Sequence, residues 1–364
     1  MDILKKYAAL LVNYCLEVQE GEKLYINTST LAEPLVREVF REATRQGAHV
    51  HTNFSFMGQN RIFMEEAKDL QLTYVSPFFK QVVEEFDCYL YIRAPFNLRE
   101  DQNVSAEKSK IRGAATKEIN KTYFARTATR ELKRNLCQFP TLASAQQAGM
   151  SLEEYQKFVF GACNLYDENP TQSWLNRRAD QQKIVDVLNG REKVRYRGDG
   201  IDINFSTKGR TWINSDGQTN MPSGEVYTSP VEDSVNGTIH FSYPGLYGGH
   251  EVEGVTLWVK DGYIEKWEAS RGKDFLDQIF SRKGTRRFGE AAVGTNYNIN
   301  QMTKNILFDE KIGGTVHMAI GQSYLQCGGK NESSVHWDMI TDMTKGGEIY
   351  ADGEKIYQDG YFTF

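Results

Sequence analysis

A change of periodicity near residue 190 constrains this chain more than any other feature of its sequence. Before it, apolar runs of strand length alternate with helical patterns. Residues 24–26, 50–54 and 88–92 read as strands, the last almost wholly apolar, as suits a strand covered on both faces. Between the first two, Leu31, Leu35, Val36, Val39, Phe40 and Ala43 recur at helical spacing. Thr30-Leu31-Ala32-Glu33 predicts a capping box, Pro34 falls in a first turn where an N–H is dispensable, and Gly47 supplies the stop. A further helical stretch is read over 105–136. It is rich in Lys and Arg, but Glu107, Glu118 and Glu131 balance it as a solvated face. Ser151 with Glu154, and Ser173 ahead of 174–188, predict two more helices, the second closed by Gly190. Strand, helix and strand in succession predict an α/β domain with a wound, largely parallel sheet over residues 1–190.

Beyond Lys193 the chain turns rich in Gly, Asp, Asn, Thr and aromatic residues. Residues 194–197, 201–205 and 211–214 read as short strands, and 255–259 and 263–268 flank the hairpin signal Lys260-Asp261-Gly262. Short strands at 349–350, 355–357 and 361–362, separated by Asp352-Gly353 and Asp359-Gly360, predict a closing meander. Residues 191–364 are therefore expected to form a second, α+β and mainly β domain. Two domains suit a length of 364 residues.

Composition narrows the function. Lys and Arg total 43 against 48 Asp and Glu, a formal charge of −5, which offers no footprint for nucleic acid or an anionic membrane. The longest apolar run, residues 7–12, is far below the roughly 20 needed to span a bilayer. It also makes no convincing signal-peptide core. Cys15, Cys88, Cys137, Cys163 and Cys327 are odd in number and lack Cys-x-x-Cys spacing, as expected of reduced thiols in the cytoplasm.

The chain has six histidines but no Gly-x-Ser-x-Gly elbow, no Walker loop, and no Gly-x-Gly-x-x-Gly after a strand. The glycine-rich residues 245–249 read as a loop, with His250 and Glu251 beside it as secondary candidates for a pocket rim. Four segments carry potential chemistry. In the first, Ser334, His336 and Asp338 alternate with Val335, Trp337 and Met339. On a strand, His336 and Asp338 would share a face and could present nitrogen and oxygen to one cation, although a solvated polar face has the same pattern. In the second, His317 lies in an apolar setting. A helix would bring it onto one face with Tyr324, whereas a strand would require a turn at Gly321 to do so. In the third, Glu225 follows Pro222-Ser223-Gly224 on a turn, as a site carboxylate or a solvated one. In the fourth, Glu290 within Arg287-Phe288-Gly289-Glu290-Ala291-Ala292 reads as a surface glutamate or a helix-start carboxylate.

Four ordered blocks join these candidates. They are Met221-Pro222-Ser223-Gly224-Glu225-Val226-Tyr227-Thr228-Ser229-Pro230, then Gly289-Glu290-Ala291-Ala292. Ile306-Leu307-Phe308-Asp309-Glu310-Lys311 follows with Val316-His317-Met318-Ala319-Ile320-Gly321-Gln322-Ser323-Tyr324, and Ser334-Val335-His336-Trp337-Asp338-Met339-Ile340 closes the series. Their order resembles the aminopeptidase T, aminopeptidase S and PepS family of metalloaminopeptidases. The interval from Tyr324 to His336 looks shorter than in the longer thermophilic members.

The resemblance implies removal of N-terminal amino acids from peptides by water activated between two divalent metal ions. Zinc is the first expectation, with cobalt, manganese or magnesium as alternatives. It further implies metal ligation by Glu225, Glu290, His317, Tyr324, His336 and Asp338. Glu290 is expected to bridge the ions, and Glu225, Glu290 and Tyr324 to act in catalysis. A cytoplasmic homodimer acting on peptides with a free N-terminus follows, with no nucleic-acid or membrane partner. The competing expectations are another two-metal amide hydrolase, such as a dipeptidase or carboxypeptidase, and a metal-binding homologue without turnover.

Overall fold

The computed structural model describes residues 2–364. It divides into two compact units, one running to Thr171 and including Gly217–Pro222, the other comprising Gln172–Asp216 and Ser223–Phe364. The sequence pattern sets the division at 190/191 instead. Helix Pro170–Asn189 accounts for the difference, because its Ile184, Val185 and Leu188 pack into the core of the second unit.

The first unit is built on a five-stranded parallel sheet in the order His49–Ser55, Lys23–Ser29, Cys88–Arg93, Lys133–Gln138, Asn220–Met221. Parallel neighbours need crossovers, and helices such as Glu33–Arg45 supply them, burying Leu35, Val36, Val39 and Ala43. The capping box expected at Thr30 does not form. Ser29 accepts the Leu31 N–H instead, a single 3₁₀ turn over Thr30–Ala32 follows, and the helix proper starts at Glu33. The stretch 105–136 is not all helix either. It contains Ala106–Ala115 and Lys117–Ala128, and then the strand Lys133–Gln138. That strand buries Asn135, whose side-chain amide donates to the Gly217 carbonyl at 2.9 Å, so a polar residue occupies what pattern reading requires to be apolar.

Ser151 and Glu154 do form a reciprocal capping box at helix Leu152–Ala162. Ser151→Ala should cost about 1 kcal/mol of stability by leaving the Glu154 N–H unpaired. A lowered urea midpoint in the helical circular-dichroism transition would register it. An unchanged midpoint would show that the cap contributes nothing. All five cysteines are buried and none forms a disulfide.

In the second unit an eight-stranded antiparallel sheet and a five-stranded antiparallel sheet contribute to one apolar core. The expected hairpins are present. Asp261-Gly262, Asp352-Gly353 and Asp359-Gly360 all adopt positive φ, the backbone that tight antiparallel turns of right-handed twist require. The glycine run is not a plain loop but a small hairpin pairing Gly245–Tyr247 with His250–Val252. Among the described residues no helix is long and apolar enough to cross a membrane.

Candidate metal centre

The five-stranded sheet of the second unit runs His336–Asp342, Thr315–Gly321, Phe288–Gly294, Glu225–Thr228, Ile213–Ser215. Its register decides which side chains share a face. Ala319 lies opposite both Glu290 and Asp338, Gly321 opposite His336, and His317 opposite Ala292; Gly294 in turn lies opposite Glu225. Period-two alternation then puts Glu225, Glu290, His317, His336 and Asp338 on one face. The other face sends Val226, Ala291, Val293, Val316, Met318, Ile320, Trp337 and Met339 into the apolar core. Between the polar groups, on the same face, stand the small residues Ala292, Gly294, Ala319 and Gly321.

One irregularity makes this arrangement possible. Phe288 pairs with Ile320, but Glu290 pairs with Ala319, so the strand carries one extra residue at Gly289. Without that bulge Glu290 would follow Phe288 onto the core face. The bulge turns it to the polar face, and Glu290 is neither a surface residue nor a helix start but part of a wholly buried strand. Ser229 holds the bulge, donating its hydroxyl to the Gly289 carbonyl at 2.7 Å. The same Oγ accepts the Tyr324 N–H at 3.1 Å. His317 lies on a strand rather than a helix, and the chain turns at Gly321 (φ 97°) to bring Tyr324 back. The Tyr324 hydroxyl ends 3.3 Å from His336 Nε2.

All six expected residues therefore converge. His336 Nε2 lies 3.1 Å from Glu290 Oε2 and 3.4 Å from Asp338 Oδ1, and His317 Nε2 lies 3.6 Å from both Glu225 Oε2 and Glu290 Oε1. Glu290 stands between the imidazoles with one oxygen toward each. Donor atoms of Glu290, His317 and Asp338 that could hold a metal ion lie within 4.8 Å of one another. His336 Nδ1 bonds the Gln322 carbonyl at 2.8 Å, which directs Nε2 at the carboxylates. His250, by contrast, stacks on Phe275, and Glu251 pairs with Lys304 at 2.8 Å.

The electrostatics describe a site short of positive charge. Burial alone would lower the imidazoles' affinity for protons. The surrounding carboxylates outweigh it, so His317 is pushed up to about 9 and His336 up to about 12. Burial opposes ionisation of Asp338, but His336 and His317 hold it well below the usual carboxylate range. Glu225 is raised by burial, against the pull of Lys311 and His317. Burial, with Glu290 next, keeps the Tyr324 phenol protonated far above its ordinary value. Glu225 Oε2, His317 Nδ1 and Asp338 Oδ1 are buried without a properly directed hydrogen bond. Such orphaned atoms are costly unless something satisfies them, and a mixed nitrogen and oxygen donor set is what a zinc-like divalent cation takes. The residues present fit a metal centre.

Sequence reading missed three participants. Lys311 is fully buried, pairs with Glu310, and lies 3.7 Å from Glu225 Oε1. Burial, partly offset by Lys311, pushes Glu310 up to about 8. Tyr227 shares the site face and packs its ring on Tyr324, with centroids 5.2 Å apart. The signal available for Lys311 and Glu310 was a run of three charged residues, Asp309-Glu310-Lys311, between apolar Phe308 and Ile312, just ahead of the His317 strand.

Comparison with known proteins agrees over the whole length. The family model described as thermophilic metalloprotease (M29) matches residues 1–362. Aminopeptidase 2 of Geobacillus stearothermophilus is 26% identical over 409 aligned positions, covering 99% of this chain and 98% of that protein. Aminopeptidase AmpS of Bacillus subtilis is 28% identical, with 99% and 98% covered. The solved structure of wild-type AmpT from Thermus thermophilus superposes with a TM-score of 0.84 at 22% identity, covering 100% of this chain and 99% of that one. Its likeness extends the two-part fold, a parallel α/β sheet and a mainly antiparallel unit, across both chains. With the four motifs, the buried donor cluster and the end-to-end match in agreement, the chain belongs to the thermophilic metalloprotease family M29.

Proposed function

We propose that this protein is a metal-dependent aminopeptidase that releases N-terminal amino acids from peptides. The observation that carries the reading is the cluster of three carboxylates and two imidazoles on one buried sheet face, in a family whose relatives are named aminopeptidases. In this reading Glu225 and His317 would hold one divalent ion and His336 and Asp338 a second, and Glu290, which turns one oxygen toward each imidazole, would serve both. Zinc suits the donors best, with cobalt, manganese or magnesium as alternatives. When bound, such ions supply the Lewis acidity that activates water and polarises the scissile carbonyl.

The chain's own groups do the rest. Tyr324, kept protonated by burial, donates a hydrogen bond to the carbonyl oxygen as negative charge develops there. Glu290 or Glu225 carries a proton to the leaving amine. A neighbouring carboxylate pairs with the substrate's free α-ammonium, which confines cleavage to the first residue. The catalytic machinery lies in residues 191–364, and the protein works as a homodimer in the cytoplasm, where its five cysteines, none in a disulfide, would stay reduced.

Dialysis against a chelator should abolish amino-acid release from a short peptide, and added zinc, cobalt or manganese should restore it. Acetylating the substrate amine should also stop turnover. Activity that survives complete metal removal would overturn the proposal, and undiminished cleavage of the acetylated peptide would favour a carboxypeptidase.

A further inference from the structure

Lys311 is a buried cation that the proposed chemistry leaves without a part. Its ammonium pairs with the Glu310 carboxylate and lies 3.7 Å from Glu225 Oε1. The segment around it is pinned in place. The Lys311 carbonyl accepts the Asn296 N–H at 3.0 Å, and Asp309 Oδ1 accepts the N–H and hydroxyl of Thr303 at 2.7 and 2.8 Å. With its side chain fully enclosed, the ammonium has no route to solvent.

We infer that Lys311 is a fixed positive charge that makes the two metal positions unequal. The position formed by Glu225 and His317 binds its ion more weakly, and exchanges it faster, than the position formed by His336 and Asp338. The inference rests on the metal-centre reading above. One oxygen of Glu225 already faces a cation, so a divalent ion arriving there meets both a partly neutralised ligand and a like charge held in place. The Glu225 carboxylate is in ion-pair range of the ammonium, whereas Asp338, on a strand separated from that of Glu225 by two others, feels it less strongly than Glu225 does. Repulsion falls with distance, and the far position keeps its ion. Lys311 touches no reacting atom in this account. It sets the occupancy of the nearer position.

Zinc loss from the loaded wild-type protein to a chromogenic chelator should be biphasic, one equivalent leaving at least about ten times faster than the other. Titration of the metal-free protein with zinc, followed by calorimetry, should likewise resolve two steps at least tenfold apart. Lys311→Met should tighten the weaker step by about tenfold or more, whereas Lys311→Arg, which keeps the charge, should preserve the gap. Removing Lys311 alone leaves Glu310 without its partner in the interior, so Lys311→Gln, which drops the charge but keeps an amide donor for Glu310, is the decisive form if the methionine variant does not fold. Loss of both equivalents in one phase, or a weaker step that stays put or weakens further without Lys311, would overturn the inference while leaving the metal centre intact. A wild-type protein that binds no zinc would overturn the metal-centre reading itself.

Discussion

Glu290→Gln is expected to lower kcat/KM on a peptide with a free N-terminus by at least about a thousandfold, with little change in the fold. The substitution keeps side-chain volume and removes one negative charge. That charge serves two imidazoles at once, with Oε2 3.1 Å from His336 and Oε1 3.6 Å from His317. A neutral amide can neither balance two cations nor accept a proton, and loss of proton transfer alone is worth about 10²- to 10⁴-fold. Bound zinc should fall in the same variant, read by atomic absorption, while far-ultraviolet circular dichroism stays unchanged. Activity within tenfold of wild type would remove Glu290 from the centre of the chemistry.

Gly289→Ala should damage both stability and turnover although it adds a single methyl group. A Cβ there would stand 2.2 Å from the Gln322 carbonyl oxygen and 2.7 Å from that of Gly321. Both obstacles are backbone, so the ladder must shift instead of a side chain swinging away. Overpacking of this kind costs about 1–3 kcal/mol. The same shift would re-aim Glu290, which depends on the bulge for its face, and displacement of a catalytic group by about 1 Å can cost 10²-fold in rate. Gly113→Ala is the control, since a methyl group on that helical glycine would meet nothing within 4 Å and should be tolerated. Equal behaviour of the two variants would mean that the bulge does not position Glu290.

These two positions also mark what a linear reading could and could not see. Period-two alternation in residues 334–339 was enough to put His336 and Asp338 on one face, and the strand bears them there. The Asp-Gly pairs announced their hairpins because so few residues accept positive φ twice in succession. Glu290 was named by the ordered motifs, but its facing was illegible. Its facing depends on a one-residue register slip against a strand that lies far along the chain, and no local pattern encodes that slip. Strand Lys133–Gln138 escaped notice because it buries Asn135 by giving the amide a partner at Gly217, which lies 82 positions away. Lys311 was hidden for a related reason. A lysine reads as solvated until tertiary structure closes over it and supplies two carboxylates. The ligand types were recognised through the ordered motifs, whereas their convergence is a property of sheet register.

The short strand Asn220–Met221 has a bearing on biosynthesis. It completes the flank of a sheet whose other members have all been translated by Gln138, and it does so after Gln172–Asp216 has gone to the second unit. Leu136 donates its N–H to the Thr219 carbonyl at 2.9 Å, so this flank also needs residues from the later excursion. A nascent chain emerging from the ribosome therefore cannot finish its first unit before the opening stretch of the second, Gln172–Asp216, has been synthesised. A fragment truncated at Thr171 would display the open amides of Lys133–Gln138 as a template for foreign strands. The two halves are interleaved in time as well as in sequence, and no single cut releases either one whole.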